Sequence, residues 1–411
     1  MDPIDPIGPM NHKDPMDPAG PRNLTEYELQ AQSSQLDLAD GHANHSLHHG
    51  TRTALGRTFA RSFEEPRHGQ VKRVERRFLD ALGHHTGQEY HPARAHIVYS
   101  ASVATDIVAK HLALTGRRTG VIAPTFDNIP ALVTMAGVEV VPVHERSLLP
   151  EPDLDRLDAL GLAALVVVLP NNPTGTGMAP NAARRLLRWA GERDVLVVFD
   201  ASFRLLDPSS CWDVLALAER CAADAAVIDD TGKALPLQDT KASVLTVTSG
   251  LAPAVSEIVS QYLLNVSCLD LRLLTTVLTP SQHCDEVLRA RDIARSNRGT
   301  LRDALRAAGL AALLPAGAPD DGSTINVEWL HVGPAQQRIL EHCRAAGLQI
   351  LPGQPFFWST GAGERPTGWV RVALLRDPAD VRRGVAILLD AVRTHGESVA
   401  VSPAAGRRWT T

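Results

Sequence analysis

No apolar run in this chain of 411 residues approaches the ~20 residues needed to cross a bilayer. The N-terminus has no apolar stretch of the kind that opens a secretory signal. Basic excess is missing as well: 41 Lys and Arg stand against 46 Asp and Glu, for a formal charge of -5. That balance leaves no electrostatic footprint for nucleic acid or an anionic membrane. The five cysteines (Cys211, Cys221, Cys268, Cys284, Cys343) are odd in number and contain no CxxC pair. They read as reduced thiols of a cytoplasmic protein rather than as a disulfide framework.

What is present is an ordinary globular composition, 44% hydrophobic and 21% charged, long enough for one large and one smaller domain. Residues 1–22, MDPIDPIGPMNHKDPMDPAGPR, repeat Asp-Pro and Gly-Pro with nothing to bury, and are expected to form a disordered leader. Residues 397–411 are expected to form a flexible tail. Between them, NLTEYELQAQSSQLDLADG (23–41) opens on a capping Asn or Thr and reads as helical. A second helix is predicted around 71–82.

From there the pattern alternates. Short β-branched runs, namely AHIVYS, GVIAPTF, VEVVPV, ALVVVLPNNP, VLVVFDAS, AAVIDDTGK and ASVLTVTSG, are nearly continuous in apolar residues. Buried strands of a mostly parallel sheet have that character. Helices such as 182–190 fill the gaps, which predicts a three-layer α/β/α domain. A long helix from near Cys284 to Gly309 would link it to a smaller α+β unit. The expected organisation is an N-terminal helix and lid arm at 23–70, a large domain at 71–285 and a small domain with its linking helix at 286–396.

Ligands of open parallel sheets bind at the carboxyl ends of the strands. Asn172 of LPNNPTGTG, Asp200 of VVFDASFR and Lys233 of VIDDTGKALPLQDTK all fall at such ends. A lysine at a strand end is weak evidence alone, and NNPTG alone is compatible with a plain turn. Together, in this order, they match the needs of pyridoxal 5′-phosphate (PLP). Lys233 offers the amine for its imine. Asp200 offers a carboxylate for its ring nitrogen, and Asn172 a donor for its phenolic oxygen. Ser100, Ala101 and Ser102, at a strand-to-helix turn, offer hydroxyls and a helix N-terminus for its phosphate. Lys241 adds a cation for that phosphate, and Phe126 in APTFDN is suited to lie against the ring.

With those residues in place, the chain over roughly residues 70–395 resembles the fold-type I class I/II aminotransferases. The resemblance implies that Arg371 in WVRVALLRD grips the substrate α-carboxylate through a bidentate fork. It also implies a homodimer. The sequence departs from the family pattern at three points. Phe203 stands where many relatives have Tyr, so one hydrogen bond to the phenolic oxygen is missing, and Ser202 is the candidate to replace it. Asp230 stands where relatives have Ser or Thr and is expected to face a cation. Lys241 replaces an Arg.

These departures are similar to those of a narrower group, the PLP-dependent L-arginine hydroxylases and oxidases of the enduracididine and indolmycin pathways. NLTEYE (23–28), LDLADGHA (36–43), PTFDNI (124–129), DASFR (200–204) and IDDTGK (228–233) carry that likeness. It implies an enzyme that uses PLP and dioxygen, without metal or flavin, to turn L-arginine into 2-oxo acids, with or without hydroxylation at C4. Ammonia and hydrogen peroxide would be released. It carries Thr25, Glu28, Asp40 and His42 over as lid and substrate residues. Independently, the guanidinium is a permanent planar cation, and Glu28, Asp40 and Asp230 are carboxylates able to receive it. His42 belongs to GHANHSLHHG. A metal site there lacks supporting ligand spacing, whereas an imidazole at the pocket could move a proton or position water. An aminotransferase using a 2-oxo acid acceptor is the alternative, and a lyase or cyclase would share the pocket logic.

Overall fold

The computed structural model describes residues 21–64, 70–282, 284–315, 325–360 and 366–396. Nearly all of the expected leader, and the whole of the expected tail, lie outside the described residues. The first helix, α1 (Leu24–Ala31), is capped by the Asn23 side chain, which accepts from the Glu26 N–H at 3.0 Å. It does not run on to residue 41. The hydroxyls of Ser33 and Ser34 donate back to the carbonyls of Gln30 and Ala31 at 2.9 and 2.6 Å, and the chain turns extended. Serine offering the backbone a local alternative is a common way for a helix to end. The next residues form β1 (Leu36–Asp37).

Helix α2 (His49–Glu64) was not predicted, and α3 (Val71–Thr86) is four residues longer than predicted. The seven apolar runs then appear as β2 (Ala95–Val98), β3 (Thr119–Ala123), β4 (Val140–His144), β5 (Ala164–Val168), β6 (Leu196–Asp200), β7 (Ala225–Asp230) and β8 (Ser243–Val247). They form one sheet in the order β2-β8-β7-β6-β5-β3-β4. Every pairing is parallel except those of β8, which runs against both its neighbours. Helices between these strands cover the sheet, among them α4 (Ala101–Leu114), which follows β2. Strands β3, β5, β6, β7 and β8 are buried along their whole length, while the edge strand β4 is only partly covered. This is why the central runs lack the polar alternation of a half-exposed sheet.

The long predicted helix spans Glu286–Ala307. Beyond it, β9 (Val327–His331), β10 (Leu348–Gln349), β11 (Leu351–Pro352) and β12 (Trp369–Ala373) complete the smaller unit. A three-stranded antiparallel sheet runs β11-β12-β9, and β10 pairs in parallel with β1 of the N-terminal arm. The architecture is the α/β fold typical of PLP transferases of fold-type I, a large mixed sheet with a smaller domain beside it.

Candidate active site

Strand register sets the site. Val168 of β5 lies level with Asp200 of β6, which lies level with Ile228 of β7. The loops that follow these three ends carry Asn172, Ser202 and Lys233 into one cavity of about 220 Å³. All the predicted site residues line it except Asp40 and Arg371. From the large sheet come Ser100, Ala101, Ser102, Phe126, Asn172, Asp200, Ser202, Asp230, Lys233 and Lys241; from the arm come Thr25, Glu28 and His42.

Asp200 is buried. Its Oδ1 accepts both from the Ser202 N–H, at 3.0 Å, and from the Ser202 hydroxyl. Ser202 therefore orients Asp200 rather than replacing the tyrosine that Phe203 displaces. Burial pushes the Asp200 carboxyl up, the Ser202 bonds oppose this, and the charge of Asp230 reinforces it. Among the described residues no cation forms an ion pair with Asp200. Ser100 caps α4 by accepting from the Val103 N–H at 3.3 Å, and Ser102 accepts from the Asn128 amide at 3.1 Å. A buried carboxylate lacking a cation, an amine, and a helix N-terminus beside hydroxyls thus converge on one cavity. That donor set fits PLP: a protonated ring nitrogen, an aldehyde and a phosphate would each meet a complementary group.

Lys233 and Lys241 both point at His42. The two Nζ atoms lie 3.4 and 3.1 Å from His42 Nε2. The other ring nitrogen, Nδ1, lies 2.6 Å from Asp40 Oδ1. Burial alone would raise the Asp40 carboxyl, but the bonds and charge of His42, with the charge of Lys233, hold it well below the usual carboxylate range. Asp40 therefore stands behind His42 and is not one of the groups facing the cavity, as the sequence had suggested. Phe203 lies beneath Lys233, whose Nζ is 5.8 Å from the ring centre.

Among the described residues Asp230 forms no ion pair. Its Oδ1 accepts from the Gly232 N–H at 2.6 Å and its Oδ2 from the Ser243 hydroxyl at 2.6 Å. Residues 230 and 243 are direct partners in the β7–β8 ladder, so the bond follows from register. Gly232 admits the arm: a Cβ there would come within 3.0 Å of the His42 ring.

Arg371 is fully buried, and its fork is already engaged. Nη2 donates to Glu28 Oε1 at 2.7 Å and to the Ala39 carbonyl at 2.6 Å, while Nη1 donates to Asn172 Oδ1 at 3.2 Å. Glu28, Asp40 and His42 bring one donor atom each within 4.8 Å of one another, but each already has a partner. The other histidines of GHANHSLHHG do not join them among the described residues.

Three positioning groups escaped the sequence reading. The Asn326 amide donates to the carbonyls of Gly41 and Lys233 at 2.8 and 2.9 Å, tying the arm to the lysine loop. Arg376, five residues beyond Arg371, binds the carbonyls of Asp37, His42 and Asp40 at 2.8, 2.7 and 2.7 Å. Arg204 forms a buried two-point pair with Asp229, at 2.6 Å for each bond. The second arginine of WVRVALLRD and the arginine of DASFR were visible signals, but nothing in the sequence identified their partners.

Residues 56–388 match the family described as aminotransferase class I and II. The aspartate/prephenate aminotransferase of Thermus thermophilus is 25% identical over 242 residues, 57% of this chain and 61% of that enzyme. The match thus spans about three fifths of that relative's length. Among solved structures, MppP soaked with the product 2-ketoarginine is 28% identical, with a TM-score of 0.75 over 86% of this chain and 99% of that one. An aspartate aminotransferase of Thermus thermophilus, at 20% identity, superposes with a TM-score of 0.70 over 90% of this chain and 97% of its own; that likeness is one of fold.

Proposed function

The chain belongs to the aminotransferase class I and II family, and from that premise we propose that it uses PLP and dioxygen to oxidise L-arginine. The product is a 2-oxo acid, hydroxylated at C4 or not, and ammonia and hydrogen peroxide are released. The observation that carries this reading is the likeness to MppP, whose product is 2-ketoarginine, joined to an arm that brings Glu28 and His42 to the cavity. We further propose a cytoplasmic homodimer with a large domain at 71–285 and a small one at 286–396.

In this reading Lys233 would supply the amine for the cofactor's aldehyde, Asp200 a carboxylate for its ring nitrogen and Asn172 a donor for its phenolic oxygen. Ser100, Ala101, Ser102 and Lys241 would receive its phosphate, and Phe126 would pack against it. When bound, PLP withdraws electrons from the substrate Cα and so makes the Cα proton removable. The Lys233 amine would be the base that removes that proton. His42 Nε2, 3.4 Å from Lys233 Nζ, then exchanges the proton with it, while Asp40 keeps Nδ1 as the donor side of the ring. The same Nε2 would position a water for C4. Arg371 holds the substrate carboxylate, and Asp230 and Glu28 are the carboxylates left to face a guanidinium. Thr25 and the rest of α1 cover the cavity and exclude water.

An oxygen-electrode trace of PLP-loaded protein with L-arginine and no keto acid tests the reading. Oxygen uptake with peroxide formation is the expected result. The 25% identity to an aspartate/prephenate aminotransferase favours the other reading, an aminotransferase. Turnover that needs 2-oxoglutarate and consumes no oxygen would establish that one and overturn ours.

A further inference from the structure

Arg371 already carries a carboxylate, and that carboxylate belongs to the chain. Glu28 Oε1 lies 2.7 Å from Nη2 and also accepts from the Gly41 N–H at 3.1 Å. The two side chains are 1% and 10% exposed, so this ion pair is closed off from solvent. The Arg371 Nε, equally buried, has no hydrogen-bond partner among the described residues. A substrate carboxylate binding side-on to the guanidinium needs Nε together with Nη2. The first of these positions is free, and the second is held by Glu28 together with the Ala39 carbonyl.

We propose that Glu28 is a tethered stand-in for the substrate carboxylate, and that substrates enter by ion exchange on Arg371. The incoming carboxylate takes Nε and Nη2, and Glu28 is displaced. For Arg371 the exchange is nearly neutral, since one carboxylate replaces another. For Glu28 it is not, because a carboxylate in this covered position loses the one cation it pairs with among the described residues. The exchange is completed only by a ligand that brings a second cation at the end of its side chain for Glu28 to pair with. Neutral amino acids leave Glu28 unpaired, and acidic ones add a like charge. Glu28 therefore selects cationic substrates twice, by opposing ligands without a cation and by receiving those with one. Helix α1 is built to hold this contact. Its Leu24 N–H donates to Asp127 Oδ2 at 3.1 Å, and Leu24 and Tyr27 pack into the cluster around Trp329 and Phe356.

The exchange rests on the proposed function only for the identity of the cation. The test titrates PLP-loaded protein by calorimetry with valerate, δ-aminovalerate and δ-guanidinovalerate, none of which has an α-amino group to react. In the wild type, valerate should bind at least about tenfold more weakly than the better of the two cationic acids. In Glu28→Gln, valerate should bind about tenfold more tightly than in the wild type, and the preference for a cation should collapse. Equal valerate affinity in the two proteins overturns the exchange, as does a wild type that binds all three acids alike. If Glu28→Gln does not fold, Glu28→Asp, with a shorter reach to Arg371, should gain valerate affinity in the same direction, and no gain there overturns it too. δ-Aminovalerate preferred over δ-guanidinovalerate upholds the exchange while counting against arginine as the substrate.

Discussion

Asp40 holds His42 by two bonds. The same carboxylate oxygen, Oδ1, meets the ring Nδ1 at 2.6 Å and the backbone N–H of residue 42 at 2.9 Å. The ring can then neither flip nor swing away from the two lysines. Fixing an imidazole by a carboxylate at one nitrogen defines what the other nitrogen does.

Asp40→Asn should therefore lower turnover by about a hundredfold, at the low end of what a positioned acid–base group contributes, while substrate affinity changes little. The loss should fall on kcat with KM nearly unchanged. A merely structural role would instead lower stability and the fraction of folded enzyme, leaving kcat per folded molecule intact. Because the Asp40 carboxyl is held low in the folded protein, its contribution to stability is complete above the ordinary carboxylate value. It is lost only as the pH falls through the folded value, so at neutral pH only substitution removes it.

Borohydride reduction of the PLP-loaded protein, followed by digestion and mass spectrometry, should place the phosphopyridoxyl group on Lys233 and not on Lys241. Lys233→Ala should retain no cofactor through reduction and denaturation. Label on Lys241 in the wild type would reverse the roles assigned to the two lysines.

His45 gives a pH-dependent stability of predictable sign. It is buried with neither ring nitrogen bonded, and burial, with the charge of Arg289, lowers its pKa to about 4. The unfolded chain binds a proton below about 6.5, where the folded protein does not. Stability is thus whole above that value and declines as the pH falls toward 4, by about 3 kcal/mol from this group. Urea unfolding at pH 8 and pH 5 should show His45→Leu losing less stability between the two than the wild type. Equal losses would mean that His45 is solvated.

Arg204 and Asp229 form a buried pair with the Tyr90 hydroxyl, which donates to Asp229 at 2.7 Å. Removing one partner strands the other charge. Asp229→Asn should cost about 3–5 kcal/mol in chemical denaturation. The double change Arg204→Met with Asp229→Leu should cost less than either single change, since no buried charge is left behind.

The central strands of the large sheet were legible because they are buried on both faces, so their residues announce themselves without reference to neighbours. Asn172, Asp200 and Lys233 were legible for a related reason: Asp200 ends such a run, and Asn172 and Lys233 come shortly after one. Helix α2 buries none of its residues, and its narrow apolar stripe of Leu55, Phe59 and Phe63 was passed over. The Glu28–Arg371 pair spans 343 positions, and no local pattern reports a partner so remote. Ser202 was assigned the wrong neighbour for a subtler reason: composition shows that a hydroxyl is present, whereas a two-residue turn decides that it bends back onto Asp200.

The parallel pairing of β1 with β10 has a consequence for how the protein is made. The arm leaves the ribosome long before its seat is synthesised. Ala39 cannot meet Arg371, 332 positions later, until almost the whole described chain exists. Contacts so distant along the chain form late. Until then the apolar side of α1, with Leu24 and Tyr27, has nothing to cover it, and such surfaces engage chaperones and invite association. A nascent or shortened chain would thus assemble the lysine, aspartate and asparagine of the large sheet before it could close over them, so the pocket is sealed only after the sheet that builds it exists.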